Sequence, residues 1–181
     1  MDRYKLKSDL LEDRKNIVHD VANKIEGIGK TGMMKAMYFL QQVYKVPLGY
    51  DFRIHSFGPF DEDVLAAIDF AEKKGLIDVV PEDYSDGVSG YSINATKNEQ
   101  VLLSEYSEPI SDLLANFGEY TAKEWELTST IVYLYVAYMD NGWDLDELDE
   151  NVKRIKPRFE LEEIQKEREL LNKLGILDRA V

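Results

Sequence analysis

The sequence predicts a mainly α-helical protein that carries a small β-hairpin. Apolar residues recur at helical spacing along most of the 181 residues, which is typical of amphipathic helices packed around a core. One stretch alternates instead, from Tyr50 to Phe57, and Gly58-Pro59 follows it, so we expect a strand that ends at this corner. Two further short runs, 77–80 and 91–96, flank a turn-rich segment and predict the hairpin.

The N-terminal quarter is predicted to form two helices joined by a glycine-rich turn. The first covers about 8–25 and the second about 32–44, and Thr31 is expected to cap the second helix. Gly29-Lys30-Thr31 is similar to the end of a P-loop, but that pattern requires glycine at the position of Lys24 and a preceding strand. Nucleotide binding at this turn is therefore disfavoured.

A third helix is predicted directly after the Gly-Pro corner. Asp61 is placed to cap it, and Gly75 is placed to end it in the left-handed conformation, with Leu76 folding back on Ala71. Three helices followed by a hairpin are the layout of a winged helix. We expect the segment from 51 to 57 to supply the third strand of its small sheet.

The remainder of the chain is predicted to be almost wholly helical. Helices are expected over about 99–117 (with a break or fresh start at Pro109), 122–139, 145–156 and 161–173. We therefore predict a winged-helix-like core over 1–98 and a helical C-terminal extension over 99–181 packed on it, with one continuous domain as the alternative.

The composition and the distribution of apolar residues limit which chemistry the protein can perform and where in the cell we expect it. The chain has no cysteine, which excludes disulfides, thiolate metal sites and cysteine nucleophiles. Its first residues have no apolar signal-peptide region, and the longest apolar run, Ile131 to Met139, is about half of a membrane span. We expect a cytoplasmic protein.

No catalytic, cofactor or metal pattern stands out, and we predict that the protein is not an enzyme. The two histidines, His19 and His55, belong to different predicted elements, and neither H-E-x-x-H nor G-x-S-x-G occurs. We expect His19 to lie on the protein surface. An enzyme that uses His55 with nearby carboxylates is a weaker alternative and requires a polar pocket around that ring.

The charge distribution disfavours nucleic-acid binding over most of the chain, but one basic cluster could still contact nucleic acid. The formal net charge is −13, and the third helix and the predicted hairpin are acidic where a DNA-binding surface should be basic. The one basic cluster consists of Lys153, Arg154, Lys156 and Arg158. A DNA-binding transcriptional regulator that uses these four residues is the alternative function.

Two motifs carry a resemblance to known families. The helix Lys30-Thr-Gly-Met-Met-Lys-Ala-Met-Tyr-Phe-Leu-Gln41 and the corner Phe57-Gly58-Pro59 resemble the YwgA-like group of uncharacterised prokaryotic proteins. They are similar, more distantly, to the Panacea domain of SocA-like antitoxins, although several Panacea motif residues are missing. The resemblance implies a small winged-helix protein, and the Panacea relatives imply an antitoxin that acts by binding proteins.

We therefore predict a non-enzymatic regulatory or protein-interaction module, antitoxin-like or an adaptor. Its acidic faces suit a basic protein partner, and a homodimer is left open. The candidate contact residues are mainly aromatic, which is also what core packing would give. They are Tyr38, Gln41, Tyr50, His55, Phe57 and Trp143.

Overall fold

The computed structural model describes residues 3–83, 89–97, 105–138 and 142–181, with side chains from residue 9 onward. Over these residues the protein is mainly helical with a small antiparallel sheet, as predicted. The helices are α1 (Arg3–Lys24), α2 (Lys30–Gln42), α3 (Glu62–Lys73), α4 (Ser107–Phe117), α5 (Ala122–Tyr138), α6 (Leu145–Ile155), α7 (Leu161–Lys173) and α8 (Ile176–Ala180). The strands are β1 (Ile28–Gly29), β2 (Arg53–His55), β3 (Gly58–Phe60), β4 (Ile77–Asp83) and β5 (Ser89–Ala95). No helix in the described part is long and apolar enough to cross a membrane.

The turn between α1 and α2 contains a short strand that the sequence pattern did not predict. Gly27 has a φ of +72°, and the next two residues then extend and pair with β5, Ile28 opposite Ile93. The expected cap at Thr31 is wrong, because Gly29 holds the cap position in extended conformation and Lys30 is already helical. Two residues are too few to show an alternating pattern, so only pairing with β5 defines this strand.

The sheet built from described residues has the order β1-β5-β4, with all neighbours antiparallel. Its third strand is β1, so the expectation that the segment from 51 to 57 would fill this place is wrong. That segment contributes β2, which pairs with β3 in a separate hairpin, Arg53 opposite Phe60 and His55 opposite Gly58. Gly58 has a φ of +90°, which lets the chain reverse at once, so Gly58-Pro59 begins a return strand instead of ending the first one.

Helix α3 begins and ends as predicted. The Asp61 carboxylate accepts a hydrogen bond from the Asp63 amide at 2.8 Å. At the other end Gly75 has a φ of +69°, and the Leu76 amide donates to the Ala71 carbonyl at 3.0 Å. This is the Schellman ending expected from the sequence.

Several boundaries differ from the sequence expectation. β4 and β5 each extend further toward their connecting turn than expected, and the predicted Asp86-Gly87 turn lies outside the described residues. α4 is described from Ser107, with Pro109 in its first turn, where a missing amide donor costs no helical hydrogen bond. The earlier part of the predicted helix, 99–104, is not described.

The buried apolar residues of the described chain form one cluster drawn from both halves of the sequence. Phe39 of α2 packs against Phe117 of α4 and Trp125 of α5, with ring centroids 5.0 and 5.7 Å apart. α8, which the sequence analysis did not predict, follows Gly175 and buries Ile176 and Leu177. The proposed boundary at residue 98 stays a prediction.

Candidate functional site

The β2–β3 hairpin displays side chains to solvent on a short projecting turn. Arg53, Ile54, His55, Ser56 and Phe57 are all exposed. The Phe57 side chain is 61% exposed, the highest value for a large apolar residue in the described chain together with Val181. An exposed aromatic ring at the tip of a hairpin is of the residue type and in a position suited to anchor a protein partner.

Two buried lysines hold the backbone of this hairpin from below. Lys35, in the middle of α2 and 2% exposed, donates from Nζ to the Pro59 carbonyl at 2.6 Å. Lys156, just after α6, donates from Nζ to the Ser56 carbonyl and, at 3.4 Å, to the His55 carbonyl. The turn is thus fixed by charge-assisted hydrogen bonds, which are stronger than neutral ones.

Glu126 of α5 supplies the negative charge that this cluster needs. Its carboxylate lies 3.1 Å from Lys156 Nζ through Oε1 and pairs with the Arg158 guanidinium through Oε2. Burial, and secondly the charge of Lys156, lower the pKa of Lys35 to about 8, while Glu126 acts in the opposite direction. We refer to Lys35, Glu126 and Lys156 as the buried charge cluster, and the half-exposed Arg158 pairs with it from its edge.

A close approach of backbone to α5 fixes the position of the corner. A Cβ added at Gly58 would lie 3.0 Å from Ser129 Oγ and 3.2 Å from Thr130 Oγ1. Both hydroxyls are buried and donate to the Glu126 carbonyl one turn earlier in the helix. Glycine therefore serves here both for its positive φ and for its lack of a side chain.

Beside the hairpin an open cleft of about 310 Å³ lies between α2, α5 and the segment that leads into β2. Its aromatic lining consists of Tyr38, Tyr50, Phe52 and Tyr133, and its polar lining consists of Gln41, Gln42 and Asp51. The rings contact one another, with Tyr38 and Phe52 at 5.2 Å and Tyr50 and Phe52 at 5.4 Å between centroids. We call this group the aromatic cleft.

The structure brings most of the predicted contact residues to this region, in different environments. Tyr38, Gln41 and Tyr50 line the aromatic cleft, where both tyrosines are largely buried and Gln41 exchanges two hydrogen bonds with the Tyr50 backbone. His55 and Phe57 lie exposed on the hairpin. The His55 ring is tilted against Phe60 at 5.1 Å, and Trp143 lies elsewhere, half-buried and stacked on Tyr138 at 4.5 Å.

The four basic residues of the alternative function do not form a free solvent-facing patch. Lys156 is buried in the charge cluster, and Lys153 Nζ donates to the carbonyls of Pro157 and Phe159 at 3.2 and 2.7 Å. Arg158 pairs with Glu126, and Arg154 donates to the Asn151 side chain. Three of the four cations thus hold the C-terminal part of the chain together.

The expectation that His19 lies on the surface is wrong. It is 7% exposed, and its Nδ1 lies 3.4 Å from the Asp20 carboxylate. Within the described ranges, no group of three or more His, Cys, Asp or Glu residues is arranged to hold a metal ion.

Sequence reasoning missed the buried charge cluster, although a signal was present. Lys35 is the single charged residue in the sequence from 31 to 44, and Glu126 is followed by no charged residue before Asp140. A lone charge in or at the edge of a long uncharged helical segment that is apolar on several faces indicates a buried charge that needs a partner. Its partners could not be read from the sequence, because Lys156 is 30 residues from Glu126 and 121 from Lys35.

A scan against models of known protein families finds no match for this chain. A search of curated proteins likewise finds no match.

Proposed function

We propose that the protein is a non-enzymatic regulatory or protein-interaction module of winged-helix type. The chain order α1, β1, α2, α3, β4, β5 supports the fold, because β1 lies beside β5 as the first strand of a winged helix does. An antitoxin-like or adaptor role in the cytoplasm is part of the proposal and fits the resemblance of the α2 helix and the Gly58-Pro59 corner.

The interaction role is supported by Phe57, an exposed ring at the tip of a turn whose backbone is fixed by hydrogen bonds from two lysines. Phe57 is held in water by a backbone that Lys35 and Lys156 fix in place. A preorganised contact residue loses little conformational entropy on binding, so a fixed tip favours affinity. Aromatic anchors of this kind dominate binding energy at protein interfaces.

The charge around the tip favours a basic partner. Asp51, Glu62 and Asp63 are exposed on the segments that enter and leave the hairpin, and the whole chain carries a net charge of −13. Opposite charge on the partner would steer its approach and favour it over acidic competitors. Nucleic acid is disfavoured at this surface for the same reason.

Pull-down of the tagged protein from its own cells, with and without nuclease, tests the proposal. Wild type should capture a protein that survives nuclease treatment. Phe57→Ser should reduce that capture by at least about tenfold, since it removes the anchor. Leu170→Ser, which changes a 39% exposed leucine on α7, is the matched control and should bind as wild type does.

Two results would contradict the proposal. Equal capture by Phe57→Ser and wild type would show that the hairpin tip is not the contact. Recovery of DNA that is lost with added salt, and lost on Arg154→Ala, which changes an exposed cation of the four and leaves the contacts of Lys153, Lys156 and Arg158 in place, would instead favour the DNA-binding regulator.

A further inference from the structure

The aromatic cleft combines ring surface with one carboxylate. Phe52 and Tyr133 are half-buried, so part of each ring remains open to the cleft, while Tyr38 and Tyr50 are largely buried behind them. Asp51 stands beside them with a side chain that is 81% exposed. Aromatic rings next to a carboxylate form the environment that attracts organic cations.

The two glutamines of the cleft already form hydrogen bonds, whereas the Tyr50 hydroxyl is buried without a hydrogen-bond partner among the described residues. The side-chain amide of Gln41 donates to the Tyr50 carbonyl at 2.9 Å and accepts from the Tyr50 amide at 2.8 Å. The side chain of Gln42 donates to the Ala180 carbonyl at 2.6 Å. Burial raises the pKa of both Tyr38 and Tyr50, so their hydroxyls stay neutral. The charge offered to a ligand in the cleft is therefore that of Asp51.

The same aromatic group already binds one cation inside the protein. The guanidinium carbon of Arg14 lies 4.1 Å from the centroid of the Tyr50 ring, on a side chain that is almost fully buried. Arg14 also donates to the carbonyls of Leu48 and Gly49, both at 2.9 Å. The local chemistry thus stabilises a guanidinium on one side of the ring cluster.

We propose that the aromatic cleft binds an arginine or lysine side chain of the protein partner. Asp51 would pair with the charge, and the rings of Phe52 and Tyr133 would contact the cation and its aliphatic stem. The inference rests on the proposed interaction function, and it names the group of the partner that the surface recognises.

Arg53 is the internal competitor for this site. Its Nη2 donates to the Asp51 carboxylate at 2.8 Å, and both side chains are more than three-quarters exposed. An exposed pair of this kind has little stability, so an incoming cation can displace it. Removing Arg53 should therefore tighten binding at the cleft, whereas removing the Asp51 charge should weaken it.

Titration with small cations tests the site without the partner. Nα-acetyl-L-arginine amide and Nα-acetyl-L-lysine amide are added to ¹⁵N-labelled protein, and amide shifts of residues 50–53 are followed by NMR. Nα-acetyl-L-citrulline amide has the shape of the arginine probe without its charge. We expect saturable shifts at these residues with a Kd on the order of millimolar for at least one cation, and citrulline binding at least about fivefold weaker.

Substitutions at Asp51 and Arg53 test whether these two residues control cation binding at the cleft. Asp51→Asn should weaken cation binding about fivefold and Arg53→Ala should tighten it by a few fold, each about the strength of one exposed ion pair. Asp69→Asn, which removes the same charge from the exposed face of α3, is the control and should leave the Kd unchanged. Equal response to citrulline and arginine, or equal weakening by Asp69→Asn, overturns the proposal.

The test of the cation site can fail or succeed independently of the test of the proposed interaction function. Absence of saturable shifts in both wild type and Arg53→Ala overturns the cation site, even when capture of a partner still depends on Phe57. Saturable cation binding that requires Asp51 supports the site, even when Phe57→Ser leaves partner capture intact.

Discussion

Gly58 shows how one residue can set the shape of the candidate site. Its φ of +90° allows the immediate reversal from β2 to β3, and its missing Cβ allows the corner to lie against Ser129 and Thr130. The two requirements are separable, because Gly142 has the same φ of +90° with no described atom within 4 Å of an added Cβ.

Substitution of alanine at these two glycines should therefore lower the unfolding free energy by different amounts. Gly142→Ala should lose about 1–3 kcal/mol of unfolding free energy from backbone strain alone. Gly58→Ala should lose about 1–3 kcal/mol more, because the methyl group overpacks against α5. Urea unfolding of both variants measures the difference, and equal losses would show that the contact with α5 does not constrain the corner.

At the scale of elements, the hairpin depends on cations delivered by two other elements. α2 brings Lys35 beneath Pro59, and Lys156, the residue after α6, lies beneath Ser56, where it also pairs with Glu126 of α5. A buried charge costs free energy unless it is paired, and this cluster holds two buried lysines and one buried carboxylate, which the half-exposed Arg158 also contacts. Burial of its amine first, and the nearby charge of Lys156 second, lower the pKa of Lys35.

The stability of the protein should carry a pH signature from Lys35. Its folded-state pKa is about 8, below the ordinary lysine value of 10.5, so between these pH values the unfolded chain binds more protons than the folded chain. Stability from this group therefore rises as the pH rises through that window. The full penalty for the charged amine applies below about pH 8.

Comparison with Lys35→Met isolates this contribution. The unfolding free energy of wild type minus that of the variant should increase by roughly 3 kcal/mol between pH 7 and pH 10.5. Lys73→Met, on the exposed side of α3, is the matched control and should show a constant difference. A difference for Lys35→Met that is flat with pH would mean that its amine is effectively solvated.

At the scale of the whole molecule, one core joins the two predicted segments. Phe39 packs on Phe117 and Trp125, and Lys156 reaches back 100 residues to Ser56. The hairpin that carries Phe57 is thus supported by residues from both sides of the predicted boundary. Neither the core nor the site is complete in residues 1–98.

The fragment 1–98 should therefore fail to fold alone. Without Phe117 and Trp125 the Phe39 ring and its neighbours on α2 would be exposed, which removes much of the burial that stabilises a small domain. Intact protein should unfold in urea in one transition, identical by far-UV circular dichroism and by tryptophan fluorescence. A dispersed NMR spectrum for the fragment would instead establish an independent domain.

Features that depend on neighbouring residues could be predicted from the amino-acid sequence. The Asp61 cap, the Gly75 ending and the spans of α5, α6 and α7 follow from local spacing and capping chemistry, which are short-range. Phe57 and His55 could be named as contact candidates because the alternating stretch that holds them is visible in the chain.

Tertiary structure decided what depends on partners far apart in sequence. β1 is a strand because β5 pairs with it, and 53–55 joins β3 instead of the sheet because Gly58 reverses the chain. Lys156 belongs to a basic run in the sequence that could contact DNA, but in the folded protein it is buried and paired with Glu126. Pairing, burial and ion-pair choice are long-range properties, and only the packed chain fixes them.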